Sequence, residues 1–210
     1  MDFDDLKRFE RINVVGTSGS GKSTFACELA EVLDLPCYEM DRLFWKPDWE
    51  ETPDEEFFPK VRDVTSQDRW VLDGNYTRTT PVKWQRVQVV IWLDLPFLQT
   101  VFRVTKRAFH RSLTRTEIWP GTGNRETLAK AFFSKDSIIW WAITSHRRGR
   151  ARYGAAMDSP EYAHIHFLRL KSAERIASCL DALRCVAGEP HGPASAAESI
   201  AEGVSSPSAP

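Results

Sequence analysis

The chain has 210 residues, of which 28 are Lys/Arg and 29 Asp/Glu, giving a formal net charge of -1. That length suits one well-cored domain with a tail. No uncharged apolar run approaches bilayer-spanning length and the start, Met-Asp-Phe-Asp-Asp, has no apolar leader, so membrane and secreted classes are set aside and a cytosolic protein is expected.

Short apolar runs alternate with helical patterns along the chain, which argues for a parallel sheet covered on both faces. The first strand is expected over Arg11 to Val15. It leads into Gly16, Thr17, Ser18, Gly19, Ser20, Gly21, Lys22, Ser23 and Thr24, a complete G-x-x-x-x-G-K-[ST] phosphate-binding loop. Its glycines let the backbone wrap around a triphosphate with the N–H groups inward, and the following helix adds its positive N-terminal dipole. Lys22 is expected on the β/γ-phosphates and Ser23 on Mg2+. The helix, Lys22 to Leu33, carries Phe25, Leu29 and Val32 on one apolar face.

A second strand, Cys37 to Met40, ends at Asp41, and ligands gather at the carboxyl ends of parallel strands. Asp41 is the candidate for orienting an acceptor hydroxyl and taking its proton, and Glu39 for holding a Mg2+-bound water. Trp45 and Trp49 either stack on a ring of the acceptor or pack the segment that carries them. Thr52, Pro53, Asp54 and Glu55 offer a capping box with proline at the first helical position, opening a helix with Phe57, Val61 and Val64 inward and a kink at Pro59.

The third strand, Trp70 to Leu72, runs into Asp73-Gly74-Asn75-Tyr76. Asp73 is the favoured magnesium-linked acid, with Asp94, at the end of a fourth strand Val87 to Leu93, as its rival. Pro96 then opens a helix towards Leu113. Between Phe97 and Tyr153 the chain holds twelve Lys/Arg against three acids, so this stretch seeks an anion. Arg103, Arg107 and Arg111 recur every four residues along one helix face, and Arg148 and Arg152 repeat that spacing; at least two of the five are expected on phosphate. Pro120, Gly121 and Gly123 break the pattern before a second helix from about Glu126, in which Trp140 and Trp141 are read as packing residues.

A fifth strand, His164 to Leu170, and a helix, Ser172 to Val186, with Ile176, Leu180 and Leu183 on one face, complete the domain. The Gly-, Pro-, Ala- and Ser-rich stretch 188–210 is expected to be a disordered tail. Cys27, Cys37, Cys179 and Cys185 lack Cys-x-x-Cys spacing, which argues against zinc and redox roles, and Cys27, Cys179 and Cys185 are expected to be buried helical thiols.

Together, the phosphate loop on the first strand, the acid-x-Asp ending the second, the Asp-Gly ending the third and the arginine-lined helix resemble the nucleoside and nucleotide kinase group, including adenylate and shikimate kinases. Asp-Arg-Leu-Phe-Trp-Lys-Pro-Asp-Trp, Val-Leu-Asp-Gly-Asn-Tyr and Trp-Leu-Asp-Leu-Pro look most like the small adenylate-kinase-related proteins often labelled topology-modulation proteins. The resemblance covers roughly 11–186. It implies a three-layer P-loop NTPase α/β fold: a five-stranded parallel sheet, helices on both faces and a short helical lid, here about 112–125, within a domain 1–187. It implies ATP and Mg2+ as ligands, Arg107 and Arg111 entering the lid, and Asp41 as the acceptor-binding aspartate. Departures are the missing Phe-Pro-Arg after Asp-Gly and a lid that is neither long nor cysteine-bearing.

The expected function is an ATP- and Mg2+-dependent transfer of the γ-phosphoryl group to a small acceptor held by Asp41, Arg42, Gly74, Asn75 and Arg148, with Lys22, Arg107 and Arg111 carrying transition-state charge. The alternative is a nucleotide-binding regulatory or nucleic-acid-associated protein without turnover. Absence of Asn-Lys-x-Asp argues against a GTPase.

Overall fold

The computed structural model of the chain describes residues 2–114, 117–119, 122–124 and 138–187. Five strands form one sheet: β1 (Arg11–Gly16), β2 (Cys37–Glu39), β3 (Trp70–Asp73), β4 (Val89–Leu93) and β5 (His166–Leu170). Their order is β2-β3-β1-β4-β5 and every pairing is parallel. β1 is therefore the centre of the sheet. Its residues Ile12 to Gly16 are all buried, as expected of a strand covered on both faces.

The α-helices among the described residues are α1 (Lys22–Val32), α2 (Met40–Phe44), α3 (Asp54–Ser66), α4 (Thr80–Lys83), α5 (Phe97–Thr114) and α6 (Ile138–Asp158), which lie between strands, and α7 (Ala173–Ala187) after the last one. On one face of the sheet Phe25 and Leu29 of α1 join Cys179, Leu180 and Leu183 of α7 against Val71, Ile91 and Leu168. On the other, Phe44, Phe57, Val61 and Tyr153 pack on Leu72, Val90 and Trp92. Each face thus has its own core, and removing either would leave half of the sheet's apolar surface in water.

The expected strands are present with ends shifted by one or two residues: Asp73 belongs to β3, Met40 opens α2, and β4 and β5 start at Val89 and His166. The capping box at Thr52 does not form. Thr52 is buried and its hydroxyl donates to the Leu43 carbonyl, so Pro53, outside the helix, takes the N-cap position of α3. α3 continues through Pro59. Cys179 is buried as expected, but Cys27 and Cys185 are exposed, because they lie on the solvent faces of α1 and α7. Parts of the expected lid, the helix expected from Glu126, the side chains of Trp140 and Trp141 and the tail 188–210 lie outside the described residues. Among the described residues no helix is long and apolar enough to cross a membrane.

Candidate functional site

The phosphate loop leaves the carboxyl end of β1 and enters α1 through Gly21, which caps the helix with a left-handed φ of 86°. Gly19 also has a positive φ, 82°, and a Cβ there would stand 2.4 Å from the Thr100 carbonyl oxygen in the first turn of α5. Only glycine lets the loop lie this close to α5. That contact positions Arg107, two turns along, whose guanidinium donates to the Ser18 hydroxyl at 3.1 Å. Of the other arginines predicted on this face, Arg111 is half-buried and Arg103 is exposed, as is Arg148 on α6.

Beneath the loop lies Asp73, the last residue of β3, paired in register with Val14 on one side and Glu39 on the other. It is 3% exposed. Burial pushes its carboxyl above the usual carboxylate range; the Lys22 ammonium and a hydrogen bond from the Ser23 side chain pull the other way, and Asp41 and Glu39 add to the rise. One oxygen, Oδ1, is buried without a hydrogen-bond partner. A buried carboxylate oxygen left bare is costly unless a cation meets it. An oxygen-rich corner formed by Asp73 and Ser23 beside a phosphate loop suits Mg2+, which takes few protein ligands and shares the substrate's phosphates.

Asp94, the rival acid, has another task. Arg150 of α6 binds both its oxygens, Nε to Oδ1 at 2.6 Å and Nη2 to Oδ2 at 3.0 Å, and Arg169 of β5 donates to Oδ2 from Nε at 2.9 Å and from Nη2 at 2.5 Å. Burial alone would raise this carboxyl, but the two arginines hold it below the usual range. Arg169 also lies over the Trp92 ring, 4.2 Å from its centre. The apolar run followed by Asp94 thus ends in an ion-pair clamp that fastens α6 to the sheet.

Asp41, in the first turn of α2, accepts a 2.7 Å hydrogen bond from the Tyr76 hydroxyl through Oδ1. Burial, then the neighbouring Asp41, pushes that phenol upward, so it stays a donor. Glu39 and Arg42 pair with one another at 3.1 Å. The expected magnesium-side Glu39 is therefore engaged by a cation of its own chain. Arg42 lines a cavity of about 180 Å³ with Trp45, Trp119 and Thr122. Trp45 and Trp49 meet edge-on, as do Trp49 and Trp119, which joins the segment after Asp41 to the described part of the expected lid.

Asn75, expected to touch an acceptor, is a brace for the phosphate loop. Its Oδ1 accepts from the Gly16 amide (3.0 Å) and the Tyr153 hydroxyl (2.9 Å), and its Nδ2 donates to the Gly16 carbonyl (2.7 Å). Gly74 before it has a φ of 143°, and a Cβ there would fall 2.7 Å from Cβ of Met40, so the close passage of this loop over α2 requires glycine.

Two further residues at the site carry no signal in the sequence. Lys83, in a Thr-Pro-Val-Lys turn that reads as surface, is fully buried; its Nζ donates to the Gly74 carbonyl (3.2 Å) and to that of Asn75. Burial, with Arg152 nearby, lowers its pKa to about 7. Asn124 is also fully buried: Oδ1 accepts from the Trp49 amide (2.8 Å) and Nδ2 donates to the Lys46 carbonyl (3.0 Å).

No family model and no curated protein sequence matches the chain. Among solved structures it is similar to the shikimate kinase from Acinetobacter baumannii in complex with shikimate, at 18% identity and a TM-score of 0.51, covering 89% of this chain and 97% of that one. It is also similar to the shikimate kinase from Bacteroides thetaiotaomicron, at 13% identity and a TM-score of 0.51, covering 85% and 98%. A gluconokinase from Sinorhizobium meliloti 1021 aligns at 14% identity and a TM-score of 0.45, covering 85% and 93%. At such identities the likeness to the two shikimate kinases is one of fold alone.

Proposed function

From a fold shared with shikimate kinases, we propose that this chain is an ATP- and Mg2+-dependent kinase that transfers the γ-phosphoryl group to the hydroxyl or phosphate of a small molecule. The observation that carries the reading is Asp73: a buried carboxylate with one bare oxygen, set against Ser23 and Lys22, while the competing Asp94 is closed off by two arginines.

In this reading the amides of Gly16 to Thr24 hold the triphosphate and Lys22 lies on the β/γ-phosphates. Ser23 and Asp73 would hold Mg2+, which when bound would supply positive charge against the phosphate oxygens. Arg107, already at the loop through Ser18, stabilises the charge that spreads over the moving phosphoryl group, and Arg111 follows it one turn on. Asp41, its Oδ1 fixed by Tyr76, presents its other oxygen to the acceptor hydroxyl and takes up the proton as the new P–O bond forms. Arg42, Trp45, Trp119 and Thr122 wall the acceptor space, where Arg42 suits an anionic substituent.

Lys22→Ala is expected to abolish phosphoryl transfer while leaving the circular dichroism spectrum and thermal midpoint close to wild type, since Lys22 is part-exposed at the head of α1. Turnover retained in that variant would contradict the mechanism. Arg107→Ala should lower kcat roughly 100- to 1,000-fold, the usual size for one lost transition-state donor, with a smaller change in acceptor KM.

A further inference from the structure

Cys27 and Cys37 read as unrelated thiols in the sequence, yet their Sγ atoms lie 3.6 Å apart. Cys27 faces out from the second turn of α1 and is exposed; Cys37 opens β2 and is half-buried. Closing this gap to a disulfide takes an approach of roughly 1.5 Å, within the reach of side-chain rotation on a helix and a strand already in contact. The other two cysteines do not share this arrangement: Cys179 is buried and Cys185 exposed on α7.

We propose that Cys27 and Cys37 form a reversible intramolecular disulfide with peroxide as the oxidant. The exposed Cys27 thiolate attacks one peroxide oxygen; the O–O bond breaks, hydroxide departs and is protonated, and Cys27 becomes a sulfenic acid. Sγ of Cys37 then attacks Sγ of Cys27, the S–O bond breaks, and the departing hydroxide takes the Cys37 proton as water. Two thiols lose two electrons to one peroxide and two waters form. Cys37 suits the second step because it is half-buried beside the exposed Cys27, so peroxide reaches Cys27 first and the sulfenic acid forms within reach of Cys37 Sγ. The bond ties α1, whose first turn bears Lys22 and Ser23, to β2, which leads to Glu39 and Asp41. Its formation does not depend on the kinase reading.

The test treats the reduced full-length protein with a small excess of hydrogen peroxide, alkylates it under denaturing conditions and maps the peptides by mass spectrometry. The expected result is a Cys27–Cys37 linked peptide, a loss of about 2 Da in the intact protein, full reversal by dithiothreitol, and alkylated Cys179 and Cys185. Cys37→Ser should then leave Cys27 as a sulfenic acid that dimedone traps, a product absent from wild type at the same dose. The proposal is overturned if wild-type Cys27 accumulates as sulfenic or sulfinic acid while Cys37 remains alkylatable, or if both thiols stay reduced.

Discussion

Asp73 and Lys83 are both buried, and Lys83 donates to the carbonyl of Gly74, the residue after Asp73. Unfolded, Lys83 keeps its proton to near 10.5; folded, it gives it up near 7. Between those values the unfolded chain binds more protons, so this residue makes stability rise with pH, by up to about 1.4 kcal/mol per unit, and its full burial penalty applies only below about pH 7. Urea midpoints of wild type and Lys83→Met between pH 7 and 9.5 should therefore differ by an amount that grows with pH in favour of wild type; a constant difference would show that Lys83 does not titrate in this window. At Asp73, Asn is isosteric but uncharged. Asp73→Asn should weaken the Mg2+ dependence of nucleotide binding by tenfold or more in calorimetric titration, and should leave binding of metal-free nucleotide nearly unchanged. Neither lysine nor aspartate advertises its state in the sequence. Asp73 stands out because an acid at the end of an apolar run is a local pattern, whereas the burial of Lys83 arises from packing of α4 under a loop eight residues earlier.

At the scale of elements, the segment Lys46–Trp49 and the turn 122–124 behave as one piece. Asp48 and Trp49 both have left-handed backbone, with φ of 59° and 62°, a conformation that costs on the order of 1 kcal/mol for each non-glycine residue. Asn124 offsets that cost by holding the Trp49 amide and the Lys46 carbonyl, and the Asp48 amide reaches the Thr122 carbonyl at 3.4 Å. Asn124→Ala strands two backbone groups and should destabilise this contact by roughly 1–3 kcal/mol. Hydrogen exchange should accelerate across 45–50 with little change in β1 or β4, and acceptor KM should rise more than nucleotide Kd. Exchange that rises evenly over the sheet would mean a global rather than a local effect. The strands and long helices were legible because period-2 and period-3.6 patterns are local; the Asn124 latch, the Asn75 brace and the Cys27–Cys37 pair join residues ten to some eighty positions apart, and composition at each is unremarkable.

Across the whole molecule, β1 stands at the centre of the sheet with a separate core on each face, and the phosphate loop, Asp41 and Asp73 lie at the carboxyl ends of β1, β2 and β3. The strand order places β3 and β4 on either side of β1, with Asp73 level with Val14 and Asp94 one residue past the Leu93–Gly16 pair, and Asp94 is taken by Arg150 and Arg169. The sequence left these two acids open because the partners of Asp94 arrive from α6 and β5, more than fifty residues later. It also placed Asn75 with the acceptor, when its polarity serves the Gly16 backbone. The fold class, by contrast, followed from the loop and the alternation of strands and helices, and the fold is one the shikimate kinase structures share.

Phosphoryl transfer is tested by ADP release from the purified protein with ATP and Mg2+, with and without each of a panel of nucleoside monophosphates, nucleosides and hydroxylated, carboxylate-bearing metabolites. A kinase of this kind should release ADP faster with at least one acceptor, with stoichiometric phosphorylated product and no stimulation in Lys22→Ala. Tight ATP binding with no stimulated release anywhere in the panel, together with salt-sensitive binding of nucleic acid, would contradict it and favour a nucleotide-dependent regulatory protein.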